Sequence, residues 1–441
     1  MPPILRNSGG PRTGSPDRNL PVGDKIAVVQ SGGGAKGAYA LGVMRAILSG
    51  ASASTGYRPC DPEIYTGTSV GAYNAAIMAS RPGQPPLAVL DLLERIWRQS
   101  IANTPGGCGN GVFRLRGLPI QELEPGCLLH PVSSATQFAV DSVYLVNQMM
   151  IRALRFSASD LPLPGRLLEV PDLSAFFDPK PLRDLIWSTV DLEGLRRSPK
   201  DLAVAASSWN DGETRVFWKN EIVRTRNLDT IMASTAIPGV FPPVHVDGKP
   251  YVDGGLTMNT PLKPAIRAGA AVLHVIYLDP LEVGTSPLPT YISTFEALAR
   301  VFSIDNAAQI RNDIKEAERV NRGLEILGRL RRHADHHGRD SGELLGDLQV
   351  ADEILAEMAA QPRRPVTIHR YLPPAVLANG AEILNFSINH IESLIEQGYR
   401  DAAQHDCEAS ECVLASAARQ PQPAFRGRRL RRDARERIGS P

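Results

Sequence analysis

The segment Gly67-Thr68-Ser69-Val70-Gly71 restricts this chain more than any other. It follows a short run from Glu63 that reads as a strand, and it leads at once into an alanine-rich stretch, AYNAAIMAS, that reads as a helix. A serine at such a strand-to-helix elbow is held in a strained backbone conformation that lifts its hydroxyl clear of the sheet. Glycines two positions to either side remove side chains that would collide there. Ser69 is therefore the candidate nucleophile. The positive N-terminal end of the next helix favours negative charge developing beside it.

The same unit occurs earlier. Lys25–Gln30 (KIAVVQ) reads as a strand, three glycines follow, and Leu41, Met44, Ile47 and Leu48 recur at helical spacing. A glycine loop in this place can hold a dinucleotide, a nucleotide phosphate or the oxyanion of an acyl-transfer intermediate. Gly32, Gly34 and Gly37 satisfy G-x-G-x-x-G, but the dinucleotide reading requires an acidic residue about 20 residues on, at the end of the second strand. That strand ends in Thr66-Gly67-Thr68-Ser69 instead. The phosphate-loop reading fails because Lys36 precedes Gly37 and no Gly-Lys-Ser/Thr occurs. The oxyanion role fits: along Gly32, Gly33, Gly34, Ala35, Lys36 and Gly37, backbone N–H groups can converge on one oxygen beside Ser69. Lys36 either adds positive charge there or is a solvated lysine at a helix start.

A serine nucleophile needs a base. None of the nine histidines lies in a loop that stands out. His274 and His369 sit in strand-like runs and read as core or edge residues, while His333, His336 and His337 lack a metal-ligand spacing. Asp253, which follows the apolar pair Tyr251-Val252 and enters the turn Gly254-Gly255, is the alternative. A partly buried carboxylate beside a serine can accept its proton, although Asp-Gly-Gly is also a common turn.

Further strands are expected from Asp201, Thr214, Ala271 and Pro365, separated by helical patterns, so the chain reads as α/β with a mostly parallel sheet. Pro- and Gly-rich residues from about Thr104 to Pro171 interrupt this rhythm and read as an inserted cap or lid. Ile310, Ile314, Ala317, Val320, Leu324 and Leu327 form one helical face, expected to pack on its own domain. The 48 basic and 47 acidic side chains nearly cancel, so no overall field argues for nucleic acid. Five scattered cysteines do not make a disulfide framework and suit a reducing compartment. The first 23 residues resemble neither a secretion signal nor a membrane span and read as disordered, and nothing else approaches a spanning helix. The expected location is the cytoplasm, with peripheral contact at a membrane. Seven arginines between Arg426 and Arg437 lie in a tail that also reads as disordered.

Together these blocks resemble the patatin-like phospholipases, lipid acyl hydrolases with a Ser-Asp dyad. Gly32 to Gly37 looks like the family's oxyanion block, Gly67 to Gly71 its elbow and Asp253-Gly254-Gly255 its aspartate motif. ASTAIPGVFPPV, Ala233 to Val244, is similar to the segment that precedes that motif, and FDPKPLRDLI, Phe177 to Ile186, also looks like a family segment. The resemblance implies a three-layer α/β/α sandwich over residues 24–280 and leaves the expected cap at about 104–171 unmatched. A mainly helical extension at 281–405 and an Arg-rich tail at 406–441 complete the expected division. It further implies Ser69 as nucleophile, Asp253 as base, no metal or organic cofactor, a lipid or phospholipid substrate and transient contact with membrane surfaces. Oligomeric state is not legible in the sequence. The competing readings are a non-catalytic lipid-binding or regulatory protein on the same fold, and, more remotely, a nicotinamide-dependent oxidoreductase.

Overall fold

The structure is a computed structural model that describes residues 25–102, 110–116, 131–158, 177–280, 294–337, 346, 349–351, 365–377 and 380–415. The first 24 residues, and the arginine cluster from Arg426, lie outside the described residues.

Strand β1 (Lys25–Gln30) leads through the glycine block into α1 (Gly37–Ser49), and β2 (Ile64–Thr68) leads through Ser69 into α2 (Val70–Ala79) and then α3 (Pro86–Ile96). The strands β5 (Asp201–Ser208), β6 (Thr214–Trp218), β7 (Val244–Val246), β8 (Lys249–Asp253), β9 (Ala270–Ile276) and β10 (Thr367–Tyr371) complete the main sheet. Among the described residues its order is β10-β9-β1-β2-β5-β8-β7, with β6 also on β5. From β10 to β5 the neighbours run parallel, and β6, β7 and β8 are antiparallel.

The alternation of side chains along β1 builds two cores. Val28 faces a cluster with Tyr39, Leu41 and Met44 of α1, whereas Ala27 and Val29 face the opposite side with Leu262, Leu273, Ile310 and Ile314. The first side is covered by α1, α2, α3 and α11 (Ile388–Ala403), the second by α9 (Leu262–Arg267) and α10 (Thr294–His337). Ile310 and Ile314 on α10 are buried there, as their helical spacing predicts. The result is an α/β/α sandwich.

Two smaller strands, β3 (Arg114–Leu115) and β4 (Phe177–Asp178), pair antiparallel at the two ends of the inserted region. Within it α4 (Pro131–Ala158) is tied to β3 by a two-pronged ion pair in which the Arg114 guanidinium donates to both oxygens of Asp141. Short helices α5 (Lys180–Thr189), α6 (Leu192–Arg197), α7 (Lys219–Thr225) and α8 (Asp229–Ser234) complete the set.

Beyond residue 280 the chain does more than add helices: β10 joins the sheet beside β9, and α11 packs on α1. The disordered tail expected from residue 406 is corrected over 406–415. Val413 exchanges backbone hydrogen bonds with Ile368 of β10, at 3.0 and 2.7 Å, and is buried. A free sheet edge offers unpaired N–H and C=O groups, and this segment takes them up.

Asn321 of α10 seats the entry to β10, donating to the Val366 carbonyl at 2.7 Å and accepting its N–H at 2.9 Å in a buried position. Asn321→Leu leaves both backbone groups without partners. The expected loss is about 2–4 kcal/mol in urea unfolding, with faster hydrogen exchange at β10.

Candidate active site

The geometry of the site starts from strand pairing. β5 carries β6 along one edge, so β2 and β8 must share the other. β2 occupies it up to Thr68 opposite Ala205, and β8 takes over at Asp253 opposite Ala206. The two strands approach from opposite directions and end on adjacent positions of β5. Their next residues, Ser69 and the Gly254-Gly255 turn, leave the sheet at the same place, and Ser69 and Asp253 line the same cavity with Gly32, Gly33 and Gly34.

Ser69 has φ 55° and ψ −127°, a conformation that L-residues rarely adopt and that costs about 1–3 kcal/mol. Ser234, at the end of α8, holds it in place. Its Oγ accepts the Ser69 N–H at 2.8 Å and donates to the Ala205 carbonyl at 2.5 Å. Two residues on, the Ala236 carbonyl accepts the Asp253 N–H at 2.8 Å. One segment thus clamps both residues from behind. Nothing in the sequence marks Ser234 for this role beyond its place in the segment before the aspartate motif.

The glycine block lies against the elbow without intervening side chains. A Cβ on Gly32 would stand 2.9 Å from the Ser69 Cβ, and one on Gly71 would stand 2.5 Å from the Gln30 carbonyl oxygen. Not every amide of the block is free. Gly32 N–H donates to Asn259, at 3.1 Å to its side chain and 3.3 Å to its carbonyl; Lys36 N–H donates to Gly33; Gly37 N–H donates within the turn. Among the described residues the amides of Gly33, Gly34 and Ala35 have no protein acceptor, and Gly33 and Gly34 line the cavity.

Lys36 is not a solvated lysine, and it lines the cavity beside Ser69. It is buried, and its Nζ donates to Asp279 Oδ1 at 2.5 Å, with Asn306 donating to Asp279 Oδ2 at 3.2 Å. Its charge is neutralised within the protein and ties the loop to the end of β9; a lysine this enclosed needs such a partner.

Asp253 is buried, and its surroundings explain its chemistry. Oδ1 accepts the Gly255 N–H at 2.7 Å, while Oδ2 has no hydrogen-bond partner. Burial is the largest influence and pushes the carboxyl from an ordinary 3.8 up to about 6, against the opposing effects of the Ser69 hydroxyl and the Gly255 amide. Among the described residues the Ser69 hydroxyl makes no hydrogen bond to Oδ2. Catalytic hydrogen bonds commonly tighten only when substrate is bound.

A second cavity meets the first at Gly34, Ser69 and Ile237. It is lined by Val70, Trp97, Ile101, Val112, Leu182, Phe241 and other apolar side chains. Val112 belongs to the inserted region. Among the described residues no histidine lines either cavity.

A family model described as Patatin-like phospholipase matches residues 28–266, more than half of the chain, and spans the glycine block, the elbow and the aspartate motif. The chain belongs to the patatin-like phospholipase family. Among individual proteins, the uncharacterized protein YjjU of Escherichia coli K12 is 43% identical over 61 residues, 14% of this chain and 17% of that protein. The chain thus matches under a fifth of that relative's length. The crystal structure of VipD from Legionella pneumophila aligns over 86% of this patatin-like chain and 66% of its own at 14% identity, with a TM-score of 0.34, too loose a likeness to carry an argument.

Two measurements test the geometry. The rate at which a fluorophosphonate modifies Ser69 should rise with pH through one ionisation near 6, and Asp253→Asn should remove that dependence. Stability should move the other way: between about pH 4 and 6 the native carboxyl keeps a proton that the unfolded chain has lost, so its contribution to stability falls as pH rises. Ser234→Ala should slow the labelling about tenfold or more, because the elbow amide loses its acceptor and the strained turn relaxes.

Proposed function

We propose that the protein is a lipid acyl hydrolase of the phospholipase A type. Ser69 Oγ attacks the carbonyl carbon of a fatty-acyl ester while its proton passes to the Asp253 carboxylate. The resulting oxyanion is held by the Gly33 and Gly34 amides, the donors of the glycine block that face the cavity and are not engaged elsewhere. Collapse of the tetrahedral intermediate breaks the ester bond, and Asp253 returns the proton to the departing alcohol. Water, deprotonated by the same carboxylate, then attacks the acyl-serine, and as the acyl–oxygen bond breaks Asp253 returns that proton to Ser69 Oγ and the fatty acid leaves. A carboxyl raised to about 6 is ionised at neutral pH yet basic enough to take part in both transfers.

The observation that carries this reading is the meeting of two unlike cavities at Ser69. One holds the carboxylate and the free amides, and the other is an apolar chamber suited to a hydrocarbon chain. The inserted region supports contact with a lipid surface. Its helix α4 exposes Val140, Val143, Val146, Met149, Met150 and Leu154, a stripe whose burial in the headgroup boundary would be favourable. Among the described residues no helix is long and apolar enough to cross a membrane, so surface contact is the mode proposed. The free thiol at Cys60 supports a reducing, cytoplasmic location. The working unit comprises residues 25–280 together with β10 and α11.

Ser69→Ala and Asp253→Asn should each lower ester hydrolysis by at least about 1000-fold without unfolding the chain. Alanine at His245 or His390 should leave it largely intact. Incubation with a mixed lipid extract should release free fatty acids and lysolipids, identified by mass spectrometry. Well-folded protein that neither releases acid nor takes a fluorophosphonate label would be a lipid binder instead.

A further inference from the structure

At the far edge of the sheet, two imidazoles and two thiols converge from separate parts of the chain. His369 lies on β10, and His405, Cys407 and Cys412 follow α11. One ligand-type atom from each lies within 4.8 Å of all the others. Cys407 Sγ is 3.4 Å from His369 Nδ1 and 3.6 Å from His405 Nε2, and Cys412 Sγ is 3.4 Å from His405 Nε2. We infer that His369, His405, Cys407 and Cys412 form a structural zinc site.

The distances carry the argument. A tetrahedral zinc ion with bonds of about 2.0–2.3 Å sets its ligand atoms about 3.3–3.8 Å apart, and the three separations above fall in that interval. Two sulfurs and two nitrogens in this arrangement suit zinc, whereas calcium and magnesium select oxygen ligands. The surroundings also match what such ligands need. His405 turns its other ring nitrogen, Nδ1, toward Ser410 Oγ at 3.4 Å, which orients the ring. The Arg370 N–H points at Cys412 Sγ at 3.4 Å, placing an amide dipole on a sulfur that would carry negative charge. Both imidazoles are buried, and His274 of β9 stacks on His369 at 5.2 Å between ring centroids.

Four protein ligands leave no open position, so the ion would act as a clamp. The loop is already shaped for it: Cys412 N–H donates to the Cys407 carbonyl at 2.9 Å, and the buried Arg370 guanidinium donates to the Glu411 carbonyl at 3.0 Å. A zinc ion would fasten the end of α11 to β10. Because α11 packs on α1, the helix that follows the glycine block, the clamp would brace that layer from two strands beyond β1. The sequence hides the site: His369 lies 36 positions before His405 inside a strand, and His405-x-Cys407-x4-Cys412 fits no common finger spacing.

The test is elemental analysis of the full chain, purified under reducing conditions without added metal. About one zinc per chain is expected, falling below about 0.2 in Cys407→Ser and Cys412→Ser and unchanged in Cys60→Ser. A high-affinity chelator should lower the thermal midpoint of the wild-type chain by about 10 °C or more. Should the serine variants fail to fold, Cys412→His, which keeps a zinc ligand, should still bind metal. Cobalt in place of zinc should give tetrahedral thiolate absorption in the wild type that shifts in this variant. A metal-free wild-type chain that takes up neither zinc nor cobalt overturns the inference, as does a Cys407–Cys412 disulfide in the reduced preparation, or stoichiometric iron or copper instead of zinc.

Discussion

The arrangement on which everything else depends is the shared edge of β5. Because β6 occupies the other edge, β2 and β8 must divide this one between them, and they meet where Thr68 faces Ala205 and Asp253 faces Ala206. Residues 184 positions apart in sequence, Ser69 and Asp253, are thereby brought to one point by backbone hydrogen bonds rather than by contacts between their own side chains. A register shift of one residue in β8 would turn Asp253 to the opposite face of the sheet, so the pairing is also what aims the carboxylate.

That meeting point is strained and buried, and the neighbouring segments compensate for both. The unfavourable φ of Ser69 is held by Ser234, and the same stretch fixes the Asp253 backbone through Ala236, so the elbow and the Asp253 carboxylate are positioned by one short piece of chain. Charge is distributed with equal economy. Lys36 and Asp279 cancel each other below the loop, leaving Asp253 without a cationic partner among the influences that set its pKa. Burial therefore dominates, and the carboxyl moves upward into the range useful for a base at neutral pH. A lysine or arginine paired with Asp253 would have the opposite effect and leave a carboxylate too weakly basic to help a serine.

Much of this was readable in the linear chain wherever the signal was local. The strands at Lys25, Asp201, Thr214 and Thr367 stand where β-branched and apolar runs announce them. The elbow was legible because glycine, serine and glycine at fixed offsets between a strand and a helix carry a steric meaning of their own. β7 and β8 were harder, being three and five residues long and broken by Pro250, and Asp253 could be singled out only from an apolar pair before a double glycine. Asn259 and Asp279 carried no signal, since an ordinary polar side chain acquires its role only from what lies opposite it, and Ser234 was marked only by its place in the segment before the aspartate motif.

The sequence by itself determined the types of group available: a hydroxyl on a tight turn, a run of amides without side chains, a carboxyl, and a chain able to bury two faces of a sheet. It also established membership of a family, because those groups recur in a set order along the chain. Only the tertiary structure decided which amides remain free, that Lys36 is neutralised, that an apolar chamber opens beside Ser69, and that His369 meets two cysteines. Each of these depends on distances between segments far apart in sequence. Hydrogen bonding, desolvation and metal ligation act over a few ångströms, a separation set by strand register and helix packing and written in no single stretch of residues.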